Sequence, residues 1–142
     1  PERMYIGGHS AGAILSASVA VDPGWTAKLN LPGNVVKGCI PISGGYDMRT
    51  NPFVEPYVSD PKLMIEASPI LNIRNPPKNN LVAVGTGEEV FVQPSKDFVE
   101  KLSEKGVNAK LLVLDNMDHA ETVWSLRDSQ SQLFEEIMKI VK

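Results

Sequence analysis

The sequence has one cysteine, no excess of positive charge and no apolar run long enough to cross a membrane. The single cysteine, Cys39, excludes a disulfide within the chain, and its apolar neighbours predict a buried thiol in a strand. The formal net charge is −3 without a basic stripe, which argues against nucleic acid or a membrane surface as a partner. No segment approaches the roughly 20 apolar residues of a membrane helix, and the first residues do not resemble a secretory signal.

The sequence also lacks the patterns of common cofactor sites. It has two histidines and one cysteine, without metal-ligand spacing, and it has no phosphate-binding loop. We therefore expect no metal or organic cofactor, and a metal-dependent or nucleotide-binding protein is disfavoured. With 142 residues, of which 42% are apolar and 22% charged, the chain is long enough for one globular domain over residues 1–142.

Apolar runs and turn residues alternate along the chain as they do in α/β proteins. The stretch from Asp47 to Asn80 is rich in proline and predicts loops and short helical turns. The other segments predict strands over Met4 to Gly7, Val35 to Ser43, Asn79 to Gly87 and Ala109 to Leu114, and helices over Ala11 to Val21, Pro94 to Lys105 and from about Glu121 to the end. This order predicts a parallel sheet with helices on both faces.

Residues that carry chemistry follow the predicted strands. The segments after the four strands read "GGHSAG", "SGGYD", "GTGEE" and "DNMDH". Functional residues of parallel α/β sheets lie at the carboxyl ends of the strands. We therefore expect a serine, several carboxylates and a histidine at one edge of the sheet.

The first of these segments contains the pattern G-x-S-x-G, from Gly8 to Gly12. This pattern is the nucleophile elbow of α/β-hydrolases, and here the required strand precedes it and a helix of small residues follows. The two glycines are expected to avoid clashes between strand and helix. Ser10 would be the nucleophile, and the Ala11 N–H at the helix start would stabilise an oxyanion. His9 is expected to pack away from the substrate.

A serine hydroxyl needs a base, which is usually an imidazole held by a carboxylate. His119, on the predicted loop after the last strand, is the remaining histidine. The acid should follow a strand and lie between Ser10 and His119 in the chain, since the order in α/β-hydrolases is serine, acid, histidine. Glu88 is the favoured acid, and Glu89 and Asp47 are the alternatives.

Several stretches together resemble a known family. The segments "GGHSAGA", "LPGNVVKGCIPISGGYDM", "SPILN", "LVAVGTGEE" and "DHAETV" are similar to the carboxyl-terminal half of α/β-hydrolases of the esterase and kynurenine formamidase-like branch. The resemblance covers nearly the whole chain and implies a triad of Ser10, Glu88 and His119, although many relatives have Asp in place of Glu88. It implies a carboxylesterase acting through an acyl-enzyme. Arylformamidase activity, or a non-catalytic small-molecule-binding module on the same fold, is the alternative.

Members of this family carry an oxyanion segment of the His-Gly-Gly type and several strands before the elbow, and this sequence has neither. We therefore expect an upstream segment of the same fold or a companion chain to complete the domain. The expected partner in catalysis is a small-molecule ester or amide. Phe53, Tyr57 and Met64 are expected to cover the core, and lining an apolar substrate cleft is their alternative role.

Overall fold

Parallel strands form the centre of the computed structural model, which describes residues 4–54 and 59–142. Within these residues the strands are β1 (Met4–His9), β2 (Val36–Ile42), β3 (Asn79–Gly85) and β4 (Asn108–Leu114). They lie in the order β1-β2-β3-β4, and each neighbouring pair is parallel. All carboxyl ends therefore meet at one edge, as the sequence predicted.

The helices of the described residues are α1 (Ala11–Val21), α2 (Pro23–Ala27), α3 (Pro61–Ala67), α4 (Glu89–Glu104), α5 (His119–Trp124) and α6 (Gln132–Val141). Short 3₁₀ turns cover Pro69–Leu71 and Ser125–Arg127. The proline-rich stretch is thus made of loops and short helical turns, as expected. None of the helices described is long and apolar enough to cross a membrane.

Both faces of the sheet are covered by helices. Val82 of β3 packs in a cluster with residues of α1 and α4, whereas its neighbours Leu81 and Ala83 pack around Leu133 of α6. Strands that are buried on both faces read as continuous apolar runs, which explains the sequence pattern. Cys39 belongs to the first cluster, and its burial raises the pKa of the thiol to about 12. The predicted α/β architecture and the buried thiol are confirmed.

The last predicted helix is wrong in one respect, because the structure divides it into α5 and α6. Asp118 begins α5 by accepting hydrogen bonds from the N–H groups of Ala120 and Glu121, both at 2.8 Å. Ser131 begins α6 by accepting a hydrogen bond from Phe134 N–H at 3.2 Å. Each cap satisfies N–H groups that a helix start leaves free, so two separate helices are stable here. The apolar periodicity of the sequence does not reveal such a break.

The start of α4 also differs from the prediction. The helix begins at Glu89 and contains Pro94, which was predicted to be its first residue. In the structure the first turn is closed earlier, by a 2.8 Å hydrogen bond from Phe91 N–H to the carbonyl of Glu88. The extra turn carries residues 89–93 to the carboxyl edge of the sheet.

The two glycines of the G-x-S-x-G motif differ in their surroundings. A Cβ atom on Gly8 would lie 2.3 Å from the carbonyl oxygen of Gly12, whereas a Cβ on Gly12 would meet no described atom within 4 Å. The expected steric need for glycine is therefore confirmed at Gly8 and wrong at Gly12. The end of β1 approaches the backbone of α1 closely, but the Cβ direction at Gly12 points away from that contact.

This difference predicts opposite effects for the same substitution. Gly8→Ala should lower the free energy of unfolding by about 1–3 kcal/mol, because the backbone must shift to admit the methyl group. Gly12→Ala should leave it unchanged or raise it by up to ~1 kcal/mol, since alanine is favoured in a helix. Urea unfolding of both variants measures this, and equal destabilisation would contradict the close approach at Gly8.

Candidate active site

Ser10 occupies the sharp turn between β1 and α1. Its φ of 58° and ψ of −120° are unusual for a residue with a side chain, and its N–H donates a 2.9 Å hydrogen bond to the carbonyl of Ile42 at the end of β2. Such strain persists only where the surroundings hold it, and it clusters at functional sites. The backbone at Ser10 therefore has the character that a nucleophile elbow requires.

His119 and Glu88 are brought together by the fold. The Nδ1 atom of His119 lies 2.5 Å from Oε2 of Glu88. A carboxylate accepts only, so Nδ1 carries the proton and Nε2 of the neutral ring is the basic nitrogen. The Glu88 side chain is 2% exposed and that of His119 41% exposed. His119 was predicted to lie on a loop, but it is the first residue of α5, because its neighbour Asp118 caps the helix.

The carboxylate of Glu88 is held at both oxygens. Oε1 accepts hydrogen bonds from Ser43 Oγ at 2.7 Å, from Gly85 N–H at 2.9 Å and from Thr122 Oγ1 at 2.9 Å. Burial acts to raise the pKa of Glu88, but the hydrogen bonds from His119, Ser43, Gly85 and Thr122 outweigh burial and hold that pKa below its usual value. The acid beside His119 is therefore an ionised, fixed hydrogen-bond acceptor.

The other candidate acids lie in different surroundings. Asp47 forms an ion pair with Arg49 at 2.6 Å, and Glu89 is an exposed residue of the first turn of α4. Of these three carboxylates, Glu88 is the one joined to His119 among the described residues. The geometry thus favours the first of the three assignments that the sequence left open.

Sequence reasoning missed several partners of these residues. The His9 ring packs against that of His119, with centroids 4.3 Å apart, and its Nε2 lies 2.8 Å from the His119 carbonyl oxygen. Ser43 and Thr122, which bind Glu88, were also not predicted. Ser43 had a weak signal, since it directly follows β2 in one of the four segments at the carboxyl edge. The contacts of Thr122 with Glu88 and of His9 with His119 join residues far apart in the chain, so no local pattern indicates them.

A cavity of about 560 Å³ connects the predicted residues. Ser10, Glu88 and His119 line it together with the apolar side chains of Phe53 and Phe91. The Phe91 ring centroid lies 5.4 Å from that of His119 and 5.7 Å from that of Phe53. The remaining lining residues are Gly87, Val90, Asp118 and Ala120.

The expected core role is wrong at Phe53, which is 59% exposed and lines the cavity. The other two residues of this prediction are Met64 and Tyr57. Met64 lies on α3 and does not belong to the lining of this cavity. Tyr57 lies outside the described residues. Among residues 4–54 and 59–142, no group of three or more His, Cys, Asp or Glu side chains is placed to hold a metal ion.

Solved structures of esterases share this arrangement of strands and helices. The structure of EstE5 soaked with p-nitrophenyl butyrate matches 97% of this chain with a TM-score of 0.71 and 24% sequence identity. Carboxyl esterase 2 from the mycorrhizal fungus Tuber melanosporum matches 100% of the chain with a TM-score of 0.71 and 21% identity. An esterase of the bacterial hormone-sensitive lipase family matches 100% of it with a TM-score of 0.68 and 23% identity. The chain has an α/β-hydrolase fold.

The chain spans about half the length of these α/β-hydrolases, which is 50% of EstE5 and 55% of each of the other two. No family model and no curated protein matches the sequence. The expected fold is confirmed by these structures. The kynurenine formamidase-like branch is not confirmed and stays a prediction.

The hydrogen bonds of Glu88 predict a pH-dependent effect of Ser43→Ala. A carboxylate whose pKa is lowered by folding stabilises the fold fully above its unfolded pKa, near 4.5, and this stabilisation is lost as the pH falls through the folded value. Removing the Ser43 donor should therefore cost roughly 1.5–3 kcal/mol at pH 7 and less in acid. Urea unfolding of wild type and variant between pH 3 and 7 measures the difference.

Ser103→Ala is the matched control, because this exposed hydroxyl donates to a helix carbonyl, that of Val99, and touches no carboxylate. Its effect should stay within about 0.5 kcal/mol at every pH. A loss in Ser43→Ala that did not change with pH would contradict the role of Ser43 as a donor to ionised Glu88.

Proposed function

We propose that this protein is a serine hydrolase that cleaves carboxylic esters through an acyl-enzyme. The observation that carries the proposal is the 2.5 Å contact of His119 Nδ1 with buried Glu88, in the cavity that Ser10 also lines. A serine hydroxyl is a weak nucleophile unless a positioned base accepts its proton. A non-catalytic binding module would not need a carboxylate that orients a histidine in the same cavity as a strained serine.

Each of the three residues has a defined part in the proposed reaction. Ser10 Oγ attacks the acyl carbonyl while His119 Nε2 accepts its proton, and Glu88 stabilises the imidazolium that results. His119 then gives the proton to the leaving alcohol, which leaves the acyl group on Ser10. Water, activated by the same imidazole, releases the acid and restores the serine.

The negative charge that develops on the carbonyl oxygen needs hydrogen-bond donors. Ala11 is the first residue of α1, so its N–H has no acceptor within the helix and is available to this oxygen. The family resemblance implies a second donor from an upstream segment of the His-Gly-Gly type. We propose that such a segment, in the same protein or in a companion chain, completes the oxyanion hole.

Replacement of the nucleophile or the base tests the proposed function. In the complete protein, Ser10→Ala and His119→Ala should each lower kcat by at least ~10³-fold, because each prevents the same proton-coupled attack. A fluorophosphonate probe should label wild type and fail to label Ser10→Ala. Near-native esterase activity in Ser10→Ala would overturn the mechanism.

The acid is tested with matched carboxylates in the same protein. Glu88→Gln should lower kcat by about 10⁴-fold, because the amide favours the wrong tautomer of the base. Glu89→Gln and Asp47→Asn are the controls and should stay close to wild type, since neither carboxylate contacts His119. The reverse order of effects would move the acid to another residue.

The lining of the cavity predicts the preferred substrate. Phe53, Val90 and Phe91 supply apolar surface, and the acidic side chains of Glu88 and Asp118 disfavour a negatively charged group. We expect kcat/KM to be at least ~10-fold higher for p-nitrophenyl butyrate than for N-formylkynurenine, in agreement with the esterases that share the fold. A hydrolysis panel measures this, and a preference for the formamide would assign the protein as an arylformamidase.

A further inference from the structure

His9 is a half-buried titratable group that the proposed reaction does not use. It lies at the end of β1, next to Ser10 in the chain, and its Nε2 lies 2.8 Å from the backbone carbonyl oxygen of His119. A carbonyl oxygen accepts only, so Nε2 of His9 carries a proton and donates it to this bond. The two imidazole rings are also in contact, with an interplanar angle of 41°.

The two histidines are therefore held as opposite tautomers. His9 carries its proton on Nε2, because its acceptor is a carbonyl, and His119 carries its proton on Nδ1, because its acceptor is Glu88. Burial and then the charge of His119 lower the pKa of His9, against smaller opposing effects of its hydrogen bond to His119 and of the charge of Glu88. His9 thus stays uncharged at neutral pH beside a histidine that becomes charged during the proposed reaction.

The bond from His9 links the strand of the nucleophile to the backbone of the base. His119 begins α5, a helix of 6 residues, and its side chain is 41% exposed. So short a helix holds its own end weakly. Glu88 holds the imidazole of His119 at Nδ1. The hydrogen bond from His9 holds the backbone carbonyl of His119, and the His9 ring packs against the imidazole.

We propose that His9 is a positioning residue that sets the distance between Ser10 and His119 by holding the first residue of α5. This inference rests on the serine hydrolase proposed above. A displacement of about 1 Å in a catalytic group can cost ~10²-fold in rate, so a single hydrogen bond at this place has a measurable effect on kcat. Substrate binding depends on the cavity walls and should change little.

Two substitutions of His9, made in the complete protein, separate the hydrogen bond from the ring contact. His9→Phe keeps a ring against His119 and removes the donor, whereas His9→Gln keeps an N–H donor at a similar reach and removes the ring. With p-nitrophenyl butyrate, His9→Phe should lower kcat roughly 10- to 100-fold with KM within about threefold of wild type. His9→Gln should recover most of that loss, and thermal unfolding should show both variants folded.

Equal kcat values in the two variants, or an effect confined to KM, would overturn the positioning role. Nitrogen-15 spectra of the two imidazoles give a readout that does not need activity. We expect His9 as the neutral Nε2–H tautomer and His119 as the Nδ1–H tautomer near pH 8, and His9→Gln assigns the signals by removing one ring. An Nδ1–H tautomer of His9, which leaves no proton on Nε2, would overturn the proposed bond.

The outcomes also separate this inference from the proposed function. Wild type that neither hydrolyses esters nor reacts with a fluorophosphonate would overturn the hydrolase, whatever the tautomers are. If the wild type is active and His9→Phe has the same kcat as wild type, only the role of His9 is overturned.

Discussion

The buried carboxylate of Glu88 is the point on which the geometry of the site depends. A carboxylate with a 2% exposed side chain is costly to ionise unless hydrogen bonds replace the lost water. Here the donors are Ser43 after β2, Gly85 at the end of β3, and Thr122 and His119 of α5. Because all of these groups must reach the same carboxylate, the hydrogen bonds of Glu88 fix the positions of two strand ends and α5 relative to one another.

The strand ends are tied to each other by a repeated backbone contact. The residue that directly follows each of the first three strands donates its N–H to a carbonyl of the neighbouring strand. These hydrogen bonds join Ser10 to Ile42 at 2.9 Å, Ser43 to Ala83 at 2.8 Å and Thr86 to Leu114 at 2.9 Å. Ser10 and Ser43 do this with positive φ values of 58° and 55°. The parallel order of the sheet thus places two strained serines side by side, one lining the cavity and the other binding the acid.

Several residues that line the cavity could be predicted from short stretches of sequence. The elbow at Ser10 could be predicted because its strand, turn and helix lie within one continuous segment, and His119 because the chain offers so few histidines. Glu88 and Glu89 could not be separated with certainty, since they differ by one position and only the direction of the chain after β3 decides which of them turns inward. The pairing of His9 with His119 joins residues 110 positions apart, and neither has a local pattern that reveals it.

The earlier start of α4 affects both Glu88 and the cavity wall. The turn after β3 is closed by hydrogen bonds between Gly85 and Glu88, from Glu88 N–H to the Gly85 carbonyl at 3.1 Å and from Gly85 N–H to the Glu88 carboxylate at 2.9 Å. Glu88 is also the N-cap residue of α4, and its carbonyl accepts from Phe91 N–H. The residue that contacts His119 therefore also begins the helical turn that carries Phe91 into the cavity wall. Glu88 and Phe91 are held by one turn, so a change that moved Glu88 away from His119 would move this part of the cavity wall with it.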